Sequence, residues 1–419
     1  MKTNTMISHS KKAAQFFFLS LALLFVGLLK AQTFPIGHMS INFKDASRTG
    51  GYVIAGGINI TGSGRDVGAE VYYPATVAGN NQPVANGVFP VVVIGHGFVM
   101  DWSSYDNIYN KLASTGYIVL LPRTEGSFSP SHGDFGNDLK FLVNAAQSLN
   151  TISTPSALVT FNGKVSPKAA IGGHSMGGGS SFLASASNTS VTCLFNFAAA
   201  TTNPSSIASA SLINVPALLI SGAIDCVADT TVQNSHYAAL ASSKKFHVIL
   251  KQITHCDFGN GTNFNCTFGQ SSTGCGNVVS NALAFPRYMN YVQNFLDNQL
   301  KNDCAAGQRF MDSVNTNSSL RSGLKKLGSI ACAAASVNEF NKTIEARLYP
   351  NPAHSSFFIE TAINNFNLKL YDAYGKLIVE KVYADANTVE INLQEMNAGI
   401  YFIELEAEGG RSYFKLVKE

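Results

Sequence analysis

Charge is scarce in this chain. Asp, Glu, Lys and Arg make up 13% of the residues, and the formal net charge is only +3. No segment carries a basic stripe, which sets nucleic-acid binding aside. Beyond position 30 no apolar run is long enough to span a bilayer, so the mature protein is expected to lack a transmembrane segment. Tryptophan occurs once, as Trp102. The cysteine spacings do not resemble a zinc site, and nothing calls for a metal or an organic cofactor. Hydrophobic residues, by contrast, form 46% of the 419 residues, enough for a large core and more than one domain.

The first 32 residues read as a signal peptide. Lys2, Lys11 and Lys12 precede an apolar run of 14 residues from Phe16 to Leu29, too short for a comfortable membrane span. Cleavage is expected near Ala31 or Gln32. Export lets disulfides persist, so the seven cysteines matter. Cys226, Cys256, Cys266, Cys275, Cys304 and Cys332 are disulfide candidates, and Cys193, inside an apolar run, is the expected free thiol.

Residues 33–89 carry alternating segments expected to form antiparallel leading strands. From residue 90 the pattern changes to short, fully apolar strands alternating with amphipathic helices. Strands are predicted at 91–95, 117–121, 192–197, 217–221 and 246–250, and helices at 103–115, 135–149, 231–242 and 285–300. That alternation predicts an α/β fold with a mostly parallel sheet covered on both faces, over residues 33–300. Residues 301–342, rich in Asn, Ser, Ala and Gly, read as a linker. Residues 343–419 return to short alternating strands and predict a small antiparallel β-sandwich.

One stretch organises the larger domain. Ala169-Ala170-Ile171-Gly172 reads as a buried strand and Gly173-His174-Ser175-Met176-Gly177 fits the G-x-S-x-G nucleophile elbow. A serine at a tight strand-to-helix turn needs glycines two positions either side, and the helix behind it offers free N–H groups to an oxyanion. Such a serine needs a base, itself oriented by an acid. Asp225 and His255 each fall just past a predicted strand, in the chain order Ser, Asp, His. Asp229 is the rival acid. Among the rival bases, His174 lies inside the elbow, His247 inside a strand, His236 on a helix where it is expected to be solvated, and His132 in a polar loop. His96, in Gly95-His96-Gly97-Phe98, is expected to brace the loop whose Phe98 N–H joins that of Met176 in an oxyanion hole.

Residues 90–260 resemble the α/β-hydrolase superfamily, on the side of dienelactone hydrolases, bacterial cutinases and polyester (PET) hydrolases. The elbow Gly173-His174-Ser175-Met176-Gly177-Gly178-Gly179 is similar to the polyester hydrolases' G-H-S-M-G-G-G, and Asp225-x-Val227-Ala228 to their acid loop. Phe98 stands where they place an aromatic oxyanion residue that contacts substrate. Dienelactone hydrolases use cysteine at the elbow, so Ser175 disfavours that activity. The resemblance implies a serine hydrolase of carboxylic esters, acting on polyesters or on smaller soluble esters as a lipase or carboxylesterase does. One family tryptophan is missing, its region being occupied by Ala198 to Thr202, so Trp102 with Phe98 is the alternative aromatic floor for substrate. A non-catalytic adhesin on the same scaffold usually loses a triad member, and here all three positions are filled. A peptidase of this fold would need an insertion long enough for a propeller or cap, and none is present.

The tail resembles the C-terminal sorting domain of the type IX secretion system, through Tyr349-Pro350-Asn351-Pro352-Ala353, Tyr371-Asp372, Gly375-Lys376, Gly399-Ile400-Tyr401-Phe402 and Lys415-Leu416-Val417-Lys418. This implies passage across an outer membrane with that machinery as partner; the competing reading is a carbohydrate-binding sandwich. Because Cys226 follows Asp225 and Cys256 follows His255, a triad would bring these cysteines close. The expected pairing is Cys226–Cys256, Cys266–Cys275 and Cys304–Cys332, a logic that feruloyl esterases resemble; joining Cys256 to Cys266 or Cys275 is the alternative.

Overall fold

A computed structural model describes residues 33–48, 52–54, 58–60, 64–274, 279–332, 344–407 and 410–419. The expected signal peptide lies outside the described residues. Two compact units divide the chain, one ending at Cys332 and the other running from Ala333 to Glu419.

In the larger unit the described strands are β1 (Ile36–Asp45), β2 (Tyr52–Ile54), β3 (Ile58–Ile60), β4 (Arg65–Pro74), β5 (Gly79–Asn80), β6 (Phe89–Gly95), β7 (Ile118–Pro122), β8 (Val165–His174), β9 (Cys193–Phe197), β10 (Ala217–Gly222), β11 (Lys245–Leu250) and β12 (Arg321–Leu327). All but β2 and β3, which pair with each other, join one sheet in the order β12-β11-β10-β9-β8-β6-β7-β4-β1-β5. Strands β7, β6, β8, β9, β10 and β11 are mutually parallel, while β4 lies antiparallel to β7 and β1 antiparallel to β4, the antiparallel leading strands expected.

The parallel strands are mostly apolar because both faces are covered, with Asn196, Ser221 and His247 among the buried polar exceptions. In β6, Val92 and Ile94 enter one core with Tyr105, Ile108 and Phe295. Val91 and Val93 enter the opposite core with Leu139, Leu142 and Val143. Helices Asp106–Ser114 and Asn281–Lys301 therefore cover one face, and His132–Ser148 the other. The chain reverses direction across the sheet at β6, which has β7 on one side and β8 on the other. Ligands in such sheets bind beyond the strands' carboxyl ends at this reversal. Gly95 pairs with Gly173 across β6 and β8, so the turn after β6 and the elbow after β8 leave the sheet side by side.

The linker expected over 301–342 is a correction. Residues up to Cys332 belong to the larger unit. Helix Cys304–Thr316 buries Phe310, Met311 and Val314 in the core, β12 adds an antiparallel edge to β11, and a Cys304–Cys332 disulfide spans the segment as expected. Phe310 meets Phe246 and Phe295 ring to ring at 4.9 and 5.7 Å. Polar composition masked three apolar residues at helical spacing. A chain ending at Leu300 would lose Phe310 and the edge strand together. It is expected to be less stable than one ending at Cys332 by at least about 3 kcal/mol, the usual effect of deleting a buried Phe. Chemical unfolding of the two truncations checks this.

The smaller unit carries β13 (Ala346–Tyr349), β14 (Ser356–Thr361), β15 (Phe366–Tyr371), β16 (Leu377–Tyr383), β17 (Thr388–Asn392), β18 (Gly399–Ala407) and β19 (Gly410–Lys418). Two antiparallel sheets, β13-β14-β17 and β16-β15-β18-β19, enclose Phe357, Leu368, Leu370, Ile403 and Leu416. The unit is the antiparallel β-domain read from the sequence. The unforeseen strand, β16, is an edge strand with mostly exposed residues, so it shows no alternation to read.

Candidate active site

The site grows from β8. Its last residue is His174, and helix Met176–Ser185 begins two residues later. Between them Ser175 adopts φ 54° and ψ −117°, a strained conformation for a residue with a side chain. Three backbone hydrogen bonds hold it there. Ser175 N–H donates to Phe197 O at 3.0 Å, and its carbonyl accepts from Gly179 and Ala200 N–H, both at 2.9 Å. Close packing explains the glycines. A Cβ on Gly177 would lie 2.2 Å from the Gly95 backbone, and one on Gly173 would lie 2.5 Å from the Gly177 carbonyl carbon. Met176 opens the helix, so its N–H is among the first four, which have no intrahelical acceptor.

Asp225 and His255 come together beyond the ends of β10 and β11. His255 Nδ1 donates to Asp225 Oδ2 at 2.8 Å, and both residues are buried. The other carboxylate oxygen accepts from Val227 and Ala228 N–H, each at 2.9 Å, which fixes the acid from two sides. Asp229 instead caps helix Thr230–Ala239, accepting from Thr231 and Val232 N–H. The base loop is set by Asp257, whose Oδ2 accepts from Thr254 N–H and Thr254 Oγ at 2.7 and 2.8 Å. Burial pushes the Asp257 carboxyl up. His255 meets the elbow through its own carbonyl, which accepts from His174 Nε2 at 3.0 Å.

The other histidines are in structural positions. His96 turns its ring nitrogens to the carbonyls of Gly97 and Thr124, at 3.0 and 2.9 Å, bridging the turn after β6 to the turn after β7. His247 bonds Ser221 inside the sheet at 2.7 Å, and His132 Nδ1 accepts from Asn203 N–H at 3.2 Å. His236, expected to be solvated, is fully buried. It bonds Ser206 Oγ at 2.8 Å and stacks on Phe182, and burial pushes its pKa down to about 4. A lone histidine on a helix gave no sign of which face it would occupy.

Phe98 is 49% exposed and meets the still more exposed Phe128 edge to face at 6.4 Å. Trp102, the other residue offered for an aromatic floor, makes ring contacts of its own. It packs against His38, Tyr72 and Tyr109, with ring centroids 6.3 to 6.5 Å apart.

The disulfides are the second correction. Cys256 pairs with Cys266, so neither Cys226–Cys256 nor Cys266–Cys275 forms. Cys226 is itself disulfide-bonded, Cys193 is the buried free thiol foreseen, and Cys275 lies outside the described residues. Loop adjacency was the wrong criterion. Helix Phe264–Ser272, which had no place in the sequence reading, brings Cys266 within 5.8 Å of Cys256 at Cα. Its signal was Asn263, which caps it by accepting from Cys266 N–H. The helix also ties to the turn after β6, since Asn265 Nδ2 donates to Val99 O at 3.0 Å. Its outward face carries Phe264 and Phe268, 74% and 65% exposed and stacked on each other at 5.8 Å.

Sheet order, elbow and loop placement together define an α/β-hydrolase. The profile of PET hydrolase-like proteins matches residues 43–272, and that of the secretion system C-terminal sorting domain matches residues 347–419. The chain therefore belongs to the PET hydrolase-like family. Chlorophyllase-1 of Arabidopsis thaliana is 31% identical over 100 residues, which cover 24% of this chain and 30% of that relative's length. The tail is a type IX sorting domain, which makes the protein secreted or surface-bound. Among the described residues no helix is long and apolar enough to cross a membrane.

Proposed function

We propose that the protein cleaves carboxylic esters through a Ser175–His255–Asp225 triad and an acyl-enzyme. The observation that carries this reading is the 2.8 Å Asp225–His255 bond beside a serine held at φ 54°. Ser175 Oγ attacks the ester carbonyl as His255 Nε2 takes its proton, and Asp225 stabilises the imidazolium from Nδ1. The N–H groups of Phe98 and Met176 receive the oxyanion. The alcohol leaves with the proton held by His255. Water then enters by the same route and releases the acid.

For the substrate, the reading is an extended apolar ester, with polyesters included. Phe98 and Phe128 flank the turn after β6, and Phe264 and Phe268 stand on a helix tied to that turn and to the base loop. Exposed aromatic rings grouped in this way favour a flat, water-poor surface over a small soluble ester. A series of p-nitrophenyl esters of rising chain length, run beside an amorphous polyester film, tests it. Phe264→Ser with Phe268→Ser is expected to lower the film rate several-fold more than the p-nitrophenyl acetate rate. Equal losses on both substrates would remove these rings from substrate binding.

A further inference from the structure

Besides the triad, one buried polar chain links three loops of the site. Gly97 N–H donates to the Tyr105 hydroxyl at 2.9 Å, and that hydroxyl lies 2.9 Å from His174 Nδ1. The opposite ring nitrogen of His174 lies 3.0 Å from the carbonyl of His255. Tyr105 and His174 are both fully buried. The first residue of the chain stands one before Phe98, His174 one before Ser175, and the last is the base itself.

Hydrogen-bond chemistry gives this chain a direction. A carbonyl only accepts, so His174 Nε2 carries a proton. A neutral imidazole then accepts at Nδ1, and the Tyr105 hydroxyl must donate there. Met100 Sδ also lies within 3.4 Å of that hydroxyl, but a thioether is the weaker acceptor. The ring stays neutral because burial pushes His174 well below its ordinary value, with the neighbouring His255 acting in the same sense. That neutrality matters because the two rings are 4.7 Å apart between centroids, and a second positive charge there would oppose formation of the His255 imidazolium.

We propose that Tyr105 and His174 are positioning residues that lock the base loop to the oxyanion loop across the nucleophile elbow. Asp225 sets the rotation of the His255 ring, and the Tyr105–His174 chain sets the backbone from which that ring hangs. Distances between base, nucleophile and oxyanion donors tolerate errors of only about 0.5 Å, so a bridge among their three loops acts on the transition state more than on substrate binding. The inference rests on the triad reading above.

The test uses the full chain and p-nitrophenyl acetate, with folding followed by circular dichroism. Tyr105→Phe removes one oxygen and leaves a buried N–H and a buried ring nitrogen without partners. It is expected to lower kcat about ten- to hundredfold with KM within twofold. His174→Met fills the space without hydrogen bonds and is expected to lose kcat similarly. His174→Gln keeps an N–H for the His255 carbonyl and an oxygen for Tyr105, and is expected to recover most of the lost rate. If Tyr105→Phe keeps a wild-type kcat, or if folded His174→Met matches His174→Gln, the inference is overturned. Ser175→Ala, run in parallel, keeps the two readings apart. An inactive Ser175→Ala beside a fully active Tyr105→Phe fails the bridge alone, whereas an active Ser175→Ala removes the triad and the bridge with it.

Discussion

Ser175→Ala is expected to lower kcat for ester hydrolysis by a factor on the order of 10⁴ or more, leaving the fold intact. The size follows from the chemistry. In the proposed mechanism no acyl-enzyme forms without Oγ, and His255 can at best activate water, while the proposed oxyanion donors, the N–H groups of Phe98 and Met176, are kept. Alanine fits the position, because the backbone at residue 175 is held by bonds to Phe197, Gly179 and Ala200 that do not involve the side chain. Initial rates on p-nitrophenyl butyrate, with circular dichroism of both proteins, measure the effect. More than a tenth of wild-type activity in a folded variant would assign the chemistry to another residue.

The second large effect lies away from the chemistry. Asp138→Ala is expected to destabilise the larger unit by about 3–5 kcal/mol, read from chemical unfolding. Asp138 is fully buried and accepts two hydrogen bonds from Arg65, Nε and Nη2 each at 2.7 Å. Arg48 approaches the same carboxylate at 2.6 Å. Arg65 is itself buried, and its partnership with Asp138 and Glu125 offsets the desolvation that would otherwise disfavour its charge. Removing Asp138 leaves Arg65 with Glu125 as its remaining acid, at 2.7 Å. Glu125 also accepts from Ser131 N–H at the start of helix His132–Ser148, so the network anchors the loop that carries Phe128. A loss under about 1 kcal/mol would mean that solvent or Glu125 replaces the lost carboxylate.

Much of the fold was legible because it follows from local periodicity. Fully apolar runs such as Val91-Val92-Val93-Ile94 need cover on both faces, and that requirement implies a parallel sheet between helix layers. The elbow was legible because close packing leaves glycine as the fitting residue at 173 and 177, so the geometry is written in the residue types. Residues 304–332 were misread because Asn, Ser, Ala and Gly are so frequent over 301–342, while the large buried side chains of the helix, Phe310, Met311 and Val314, are a small minority. The cysteine pairing was misread for a different reason. Adjacent loops bring many Cα atoms near one another, and the bond goes to whichever thiol a cap and a short helix deliver.

By itself, the sequence determined the class of domain, the strand that leads into Ser175, the order of Ser175, Asp225 and His255, and the sorting tail. Each is a local pattern whose physical cause lies within a few residues. Only the tertiary structure decided that Asp225 rather than Asp229 meets His255, because both follow the same strand and just one is spent on capping a helix. It also decided that Trp102 packs against His38, Tyr72 and Tyr109, that Cys266 takes Cys256, and that Tyr105 and His174 join three loops. Those outcomes depend on which groups meet across the chain, from 10 residues apart for Cys256 and Cys266 to 81 for His174 and His255, a choice made by packing in the folded state and leaving no periodic trace in the sequence.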